Sequence, residues 1–204
     1  MTYHYYGDKN ADIVLIQPVG DHDLPEIENE VAEIKKLTSV DFQLIAVKVD
    51  DWNDELSPWN APAVFGNEGE DTLAEILTLC SDKSKDYYIG GYSLAGLFAL
   101  WAAFQTEKFS GVAAASPSVW FPDFVGYMKE NKMKSDAVYL SLGDREEHTK
   151  NQTMAAVGDN IRALHTALTR RGADCTLEWN AGGHFKDADL RTARAFAWIM
   201  EGKP

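Results

Sequence analysis

A turn of small residues between a strand-like and a helix-like segment constrains the fold of this chain more than any other feature. The turn reads Gly-Gly-Tyr-Ser-Leu-Ala-Gly over positions 90–96 and joins the apolar run 86–89 to the apolar run 97–104. A strand that passes directly into a helix needs residues without bulk at the turn, because the two backbones approach closely there. The pattern therefore predicts a βα unit that presents the hydroxyl of Ser93, with a glycine-rich loop around an incidental serine as the alternative.

Short apolar runs alternate with segments of helical periodicity along the rest of the chain. This alternation is typical of βαβ units around a mostly parallel sheet. We predict strands at 12–17, 42–49, 87–89, 112–115, 138–142 and 176–179, with 3–6 as a further edge strand. We predict helices at 26–37, 72–79, 94–104, 124–130, 152–171 and 189–200. The expected fold class is α/β, an open, doubly wound, mostly parallel sheet with helices on both faces.

Composition limits the size and the partners of this fold. A chain of 204 residues that is 45% hydrophobic fits one compact domain over 1–204. Its net charge of −13 opposes binding to nucleic acid or to an anionic membrane surface. The chain has no apolar run of about twenty residues, and no basic segment followed by an apolar one at its beginning, so we expect a cytoplasmic protein. Cys80 and Cys175 are expected as buried thiols, and no spacing suggests a metal site or a cofactor.

A serine hydroxyl needs a base and an orienting acid before it can act as a nucleophile at neutral pH. His184 is the best candidate for the base, because it follows the last predicted strand through the loop Asn-Ala-Gly-Gly and precedes the last predicted helix. Three carboxylates, Asp144, Glu146 and Glu147, follow the preceding strand. We take Glu146 as the first choice for the acid, because it is the third residue after the glycine that ends the strand and leaves room for a turn back toward the histidine. Asp144 is the second choice and Glu147 the third.

The oxyanion of an acyl-transfer intermediate needs hydrogen-bond donors, which are usually backbone amides. The amide of Leu94, directly after the serine at a helix start, is one candidate. The second is expected after the first central strand, where Pro18 has no N–H, so Val19 or Gly20 must supply it.

Aromatic side chains are the candidates for a substrate pocket. Trp120 and Phe121 follow the strand next to the serine turn, and Trp52 and Trp59 lie in the long aperiodic stretch 50–71. We expect these four to wall the pocket, with core packing as the alternative reading.

The motifs Gly-Tyr-Ser-Leu-Ala-Gly (91–96), Ala-Ser-Pro-Ser-Val-Trp (115–120), Gly-Asp-Arg-Glu-Glu (143–147) and Gly-Gly-His-Phe (182–185) occur in this order. Together they resemble the α/β-hydrolase superfamily and, within it, esterases related to enterochelin esterase and S-formylglutathione hydrolase (esterase D). The resemblance implies ester or thioester hydrolysis through an acyl-enzyme on Ser93, with His184 as base and Glu146 as orienting acid. Ala95 replaces a family glycine, and the loop 17–20 lacks the usual His-Gly pair. The short chain implies that no separate lid domain is present.

The leading hypothesis from the sequence is a serine carboxylesterase acting on a small or medium acyl ester, without a cofactor or metal. A thioesterase or acyltransferase on the same three residues is the first alternative, since only the acceptor differs. A non-catalytic hydrolase-fold protein that binds a small ligand is the second. The sequence leaves the oligomeric state open.

Overall fold

The computed structural model describes residues 1–61, 64, 66 and 69–201, and a single sheet of seven strands organises them. The strands are β1 (Thr2–Gly7), β2 (Ile13–Val19), β3 (Phe42–Lys48), β4 (Asp86–Tyr92), β5 (Phe109–Ala115), β6 (Ala137–Gly143) and β7 (Asp174–Asn180). Their order is β1-β3-β2-β4-β5-β6-β7, in which β1 runs antiparallel to β3 and the other neighbours are parallel. The predicted mostly parallel α/β sheet is confirmed, and the edge strand β1 runs antiparallel to its neighbour.

Helices cover both faces of this sheet. They are α1 (Ile27–Leu37), α2 (Trp52–Leu56), α3 (Glu70–Leu79), α4 (Leu94–Gln105), α5 (Phe124–Glu130), α6 (Gln152–Ala155), α7 (Val157–Arg170) and α8 (Ala188–Glu201). Short 3-10 turns occupy Leu24–Glu26 and Glu146–His148. Helices α1 and α8 bury their apolar residues in one core layer, whereas α3, α4, α5 and α7 contribute to the other layer.

Alternation along the strands explains why two core layers form. Leu15 points into the layer under α1 and α8, while its neighbours Val14 and Ile16 point into the layer under α4. Helix α4 is buried along almost its whole length, which matches its nearly continuous apolar sequence. The serine turn is therefore anchored at both ends in the hydrophobic core.

Two helix predictions differ from the structure. The predicted helix 152–171 is two helices, because Ala156 has ψ of −10° and interrupts the hydrogen-bond ladder between α6 and α7. Helix α2 lies inside the stretch 50–71, in which the sequence shows no periodicity. Its first turn is capped by Asp51, whose carboxylate accepts hydrogen bonds from the amides of Asn53 and Asp54. Positions 62, 63, 65, 67 and 68 of that stretch lie outside the described residues.

Candidate active site

The sheet order brings the predicted site loops to one edge. Strand β2 has β3 on one side and β4 on the other, so the chain reverses its direction of winding between β2 and β4. In open parallel sheets, a crevice forms at such a point beyond the carboxyl ends of the strands. The loops after β2, β4, β6 and β7 all end at this edge, and they carry Gly20, Ser93, Glu146 and His184 respectively.

Ser93 lies in a strained turn between β4 and α4. Its backbone has φ of 57° and ψ of −118°, a conformation that residues other than glycine rarely adopt. The turn closes only because its neighbours are small: a Cβ on Gly91 would lie 2.6 Å from the Ala95 methyl, and one on Gly96 would lie 2.9 Å from the Gly91 carbonyl oxygen. Ala95 is tolerated in place of the usual glycine because Gly91 leaves room for its methyl group.

The Ser93 hydroxyl contacts His184. Ser93 Oγ lies 2.9 Å from His184 Nε2, and it lies 3.3 Å from Ser118 Oγ. The carbonyl of His184 accepts a hydrogen bond of 2.7 Å from the hydroxyl of Tyr92, the residue before the serine. This contact fixes the histidine loop against the end of β4.

Glu146 is the carboxylate that contacts the histidine. Its Oε2 lies 2.7 Å from His184 Nδ1. The two alternatives have other partners: Asp144 Oδ1 accepts the Gly182 amide at 2.8 Å, and Glu147 forms two hydrogen bonds of 2.8 Å to Arg162. Asp144 thus ties the β6 loop to the histidine loop, and Glu147 ties it to α7.

The surroundings of Glu146 favour its ionised form. Burial opposes ionisation and is the largest influence, but the hydrogen bond and charge of His184 and the hydrogen bonds from the Gly143 amide and the Ser116 hydroxyl outweigh it. Together they hold the pKa of Glu146 below its usual value. Oε1 accepts from Gly143 at 2.7 Å and from Ser116 at 2.8 Å, which leaves Oε2 for the histidine. A negative charge at this point orients the ring and stabilises an imidazolium.

A buried arginine that the sequence reading missed completes this network. Arg191 on α8 is only 1% exposed, and its guanidinium donates to Glu146 Oε1 at 3.1 Å, to the Tyr92 hydroxyl at 3.0 Å and to the Gly183 carbonyl at 3.2 Å. It therefore joins the loops after β4, β6 and β7. The available signal was its place in α8, four residues before Ala195 on the apolar face of that helix.

The candidate oxyanion donors differ in their hydrogen bonding. Leu94 begins α4, and the first amides of a helix have no carbonyl partner within it. Val19 is fully buried at the end of β2. The Gly20 amide donates to Asp23 Oδ2 at 2.8 Å, so this amide becomes available to a substrate only if the Asp23 side chain moves.

A cavity of about 820 Å³ opens at Ser93. Two of the four aromatic residues expected in its wall, Trp52 and Trp120, line it. Trp59 and Phe121 do not: Phe121 is buried, and its ring meets that of Trp59 edge-on with centroids 5.8 Å apart. Trp59 and Phe121 are therefore not wall residues of this cavity, contrary to the prediction. They pack in the core next to Tyr127, whose ring centroid lies 5.2 Å from that of Trp59.

The cysteines are poor nucleophiles. Burial raises the pKa of Cys80 to about 11 and that of Cys175 to about 12, with the charge of Asp174 adding to the shift of Cys175. Among the described residues, no group of three or more His, Cys, Asp or Glu side chains is arranged to hold a metal ion. In the same part of the chain, no helix has the length and apolar character that a membrane span requires.

A seven-stranded, mostly parallel sheet with a serine at the strand-to-helix turn defines the α/β-hydrolase fold, and comparison with solved structures confirms this fold. The siderophore hydrolase EstA from Aspergillus nidulans is similar with a TM-score of 0.69 and 18% identity, over 97% of this chain and 86% of that one. A ferulic acid esterase has a TM-score of 0.67 and 14% identity, over 98% of this chain and 91% of that one.

The enterobactin esterase FES from Shigella flexneri has a TM-score of 0.64 and 14% identity. The similarity covers 98% of this chain but 55% of FES. The sequence matches no protein-family model, and no curated protein sequence matches it. At these identities the likeness establishes a shared fold.

Proposed function

We propose that this protein is a serine hydrolase that cleaves a carboxylic ester of a small or medium acyl substrate. The observation that carries the proposal is the continuous chain of contacts from Ser93 Oγ to His184 Nε2 at 2.9 Å and from His184 Nδ1 to Glu146 Oε2 at 2.7 Å. These three residues come from the loops after β4, β6 and β7, in the order used by α/β-hydrolases. The similar solved structures, a siderophore hydrolase, an enterobactin esterase and a ferulic acid esterase, add support.

In the acylation step, Ser93 Oγ bonds to the carbonyl carbon while His184 Nε2 takes the hydroxyl proton. The electron pair of the C=O bond moves onto the oxygen, and the Leu94 amide stabilises the resulting charge. When the intermediate collapses, the bond from the carbonyl carbon to the alcohol oxygen breaks. The leaving alkoxide takes the proton from His184, which gives a free alcohol and an acylated Ser93.

Deacylation repeats these steps with water. His184 removes a proton from the water while the water oxygen bonds to the acyl carbon. His184 then returns a proton to Ser93 Oγ as the ester bond to the serine breaks. The products are a carboxylic acid and the free enzyme. A thioester substrate or an alcohol acceptor would use the same acyl-enzyme, so thioesterase and acyltransferase activities follow from the same site.

The first test is turnover of a panel of 4-nitrophenyl esters with acyl chains of two to ten carbons. We expect Ser93→Ala to lower kcat/KM by at least about 10⁴-fold, since the nucleophile itself is lost. Ser84→Ala is the matched control, because it removes the hydroxyl of an exposed serine between α3 and β4, and activity should remain unchanged. Unchanged turnover in Ser93→Ala would refute the proposal.

One observation favours a second candidate, a hydrolase-fold protein that binds a small ligand without turnover. The Gly20 amide donates to Asp23, so this candidate for the second oxyanion donor is already engaged. Under this alternative, ligands bind in the cavity and the ester panel is not hydrolysed by the wild type. Hydrolysis that depends on Ser93 would exclude it.

A further inference from the structure

One part of the cavity at Ser93, called here the Gln17–Glu30 end, is lined by residues that the proposed chemistry does not use. It lies between β2, the 3-10 turn Leu24–Glu26, α1 and α8, where Gln17 and Glu30 line the cavity. Both side chains are 97% buried, as each residue is only 3% exposed. Two buried polar side chains at the end of a substrate cavity are unusual unless they have partners.

The hydrogen bonds of this pair are incomplete. Gln17 Nε2 donates to Glu30 Oε2 at 3.2 Å. The other oxygens, Gln17 Oε1 and Glu30 Oε1, are buried without a hydrogen-bond partner. When Glu30 is ionised, both oxygens are acceptors without donors, which costs free energy, and a ligand that donates hydrogen bonds recovers this cost.

The charge around the pair is negative. Burial raises the pKa of Glu30 to about 8, and the charges of Asp23 and Asp189 act in the same direction. Three carboxylates line the same cavity. Glu26 lies in the 3-10 turn, Asp23 directly precedes that turn, and Asp189 lies in α8. Arg145 also lines the cavity, but it belongs to the loop after β6. Two strands, β4 and β5, lie between β6 and the strand β2 that carries Gln17. A positive group is therefore favoured at this end and a carboxylate is not.

We propose that the Gln17–Glu30 end of the cavity is a subsite for a protonated primary amine carried by the ester substrate. This inference rests on the proposed function for its substrate, but the subsite itself is a binding property. A primary ammonium is compact and has three N–H donors, so it can satisfy both free oxygens at once. A quaternary ammonium has no N–H to donate and would leave them unpaired.

The test compares two molecules of nearly equal shape, n-hexylammonium and 1-hexanol, by isothermal titration calorimetry at pH 7. We expect the wild type to bind the ammonium ion at least tenfold more tightly than the alcohol. Binding should also release a proton, because an ammonium beside Glu30 favours the ionised carboxylate. Proton release is measured by repeating the titration in buffers of different ionisation enthalpy.

Glu30→Gln removes the carboxyl group that ionises when the ammonium binds and keeps the side-chain shape, so it should abolish both the preference for ammonium and the proton release. The matched control is Glu28→Gln, the same change at an exposed position of α1, which should leave both unchanged. Equal affinity for the two molecules, ammonium binding without proton release, or a preference that survives in Glu30→Gln would overturn the subsite.

The same titrations with Ser93→Ala separate the subsite from the proposed catalysis. Ammonium binding by Ser93→Ala and by a wild type that hydrolyses no ester of the panel would mean that the subsite stands and the esterase proposal falls. Ester turnover without ammonium binding would mean the reverse.

Discussion

Replacing Arg191 with methionine tests whether this buried cation holds the candidate site together. The guanidinium is 1% exposed and donates to Glu146, Tyr92, Ser116 and Gly183. Methionine retains much of the apolar stem, so the change removes mainly the charge and its hydrogen bonds.

The expected loss in free energy of unfolding depends on which partners of Arg191 are left unpaired. The Tyr92 hydroxyl still donates to the His184 carbonyl, and Ser116 and the Gly143 amide still donate to Glu146. The net loss is the ion pair of Glu146 and the hydrogen bond to Gly183. Breaking a buried ion pair by removing one partner costs about 3–5 kcal/mol, and the remaining donors place this case at the lower end, about 3 kcal/mol. For a chain of this size that corresponds to a fall in Tm of about 6–12 °C.

Urea unfolding followed by tryptophan fluorescence measures this cost as a change in the free energy of unfolding. Arg194→Met is the matched control on the same helix. The Arg194 side chain is 48% exposed, lies 3.5 Å from Glu178 and donates to Asn180 Oδ1 at 3.0 Å, so its loss should cost about 1 kcal/mol. Equal costs for the two variants would refute the structural role assigned to Arg191.

Three further predictions concern the acid, the serine turn and the buried carboxyl. Glu146→Gln should lower kcat by about 10³- to 10⁴-fold, whereas Asp144→Asn should have a much smaller effect, and steady-state kinetics compares them. Gly91→Ala should lower the free energy of unfolding by about 1–3 kcal/mol, because its methyl would lie 2.6 Å from that of Ala95. Its control is Gly126→Ala, whose methyl would meet nothing within 4 Å, and which should leave Tm unchanged or raise it. Because burial raises the pKa of Glu30 from 4.5 to about 8, the folded state holds a proton that the unfolded chain has lost between these values. The free energy of unfolding should therefore fall by a few kcal/mol from about pH 5 to pH 8, and urea unfolding should show a flatter profile in Glu30→Gln.

The strands and the serine turn could be read from the sequence because their signals are local. Seven short apolar runs, each separated by a helical segment or a turn, correspond to seven strands, and helix α5 has the predicted bounds 124–130. The helix break at Ala156 was not predicted, since no proline marks it and alanine is a strong helix former; the nearest glycine, Gly158, lies within α7. Helix α2 was missed because five residues are too few to show a periodicity, although Asp51 is a cap signal.

The site was less readable because it depends on distances between loops. The sequence narrowed the acid to three carboxylates, and the structure brings only Glu146 within hydrogen-bond reach of His184, while Asp144 and Glu147 bind elsewhere. Arg191 was passed over because arginines are usually exposed, and a full network of acceptors makes its burial possible. The Gly20–Asp23 contact depends on a side-chain rotamer that no sequence pattern reports.

The central claim is that Ser93 is an activated nucleophile, and covalent labelling tests it most directly. The wild type, His184→Ala and His148→Ala are treated with a fluorophosphonate probe, and peptide mass spectrometry locates the adduct. We expect an adduct on Ser93 in the wild type and in His148→Ala, whose replaced histidine is exposed, and none in His184→Ala. A folded wild type that is not labelled, or labelling of Ser93 that persists without His184, would contradict the account.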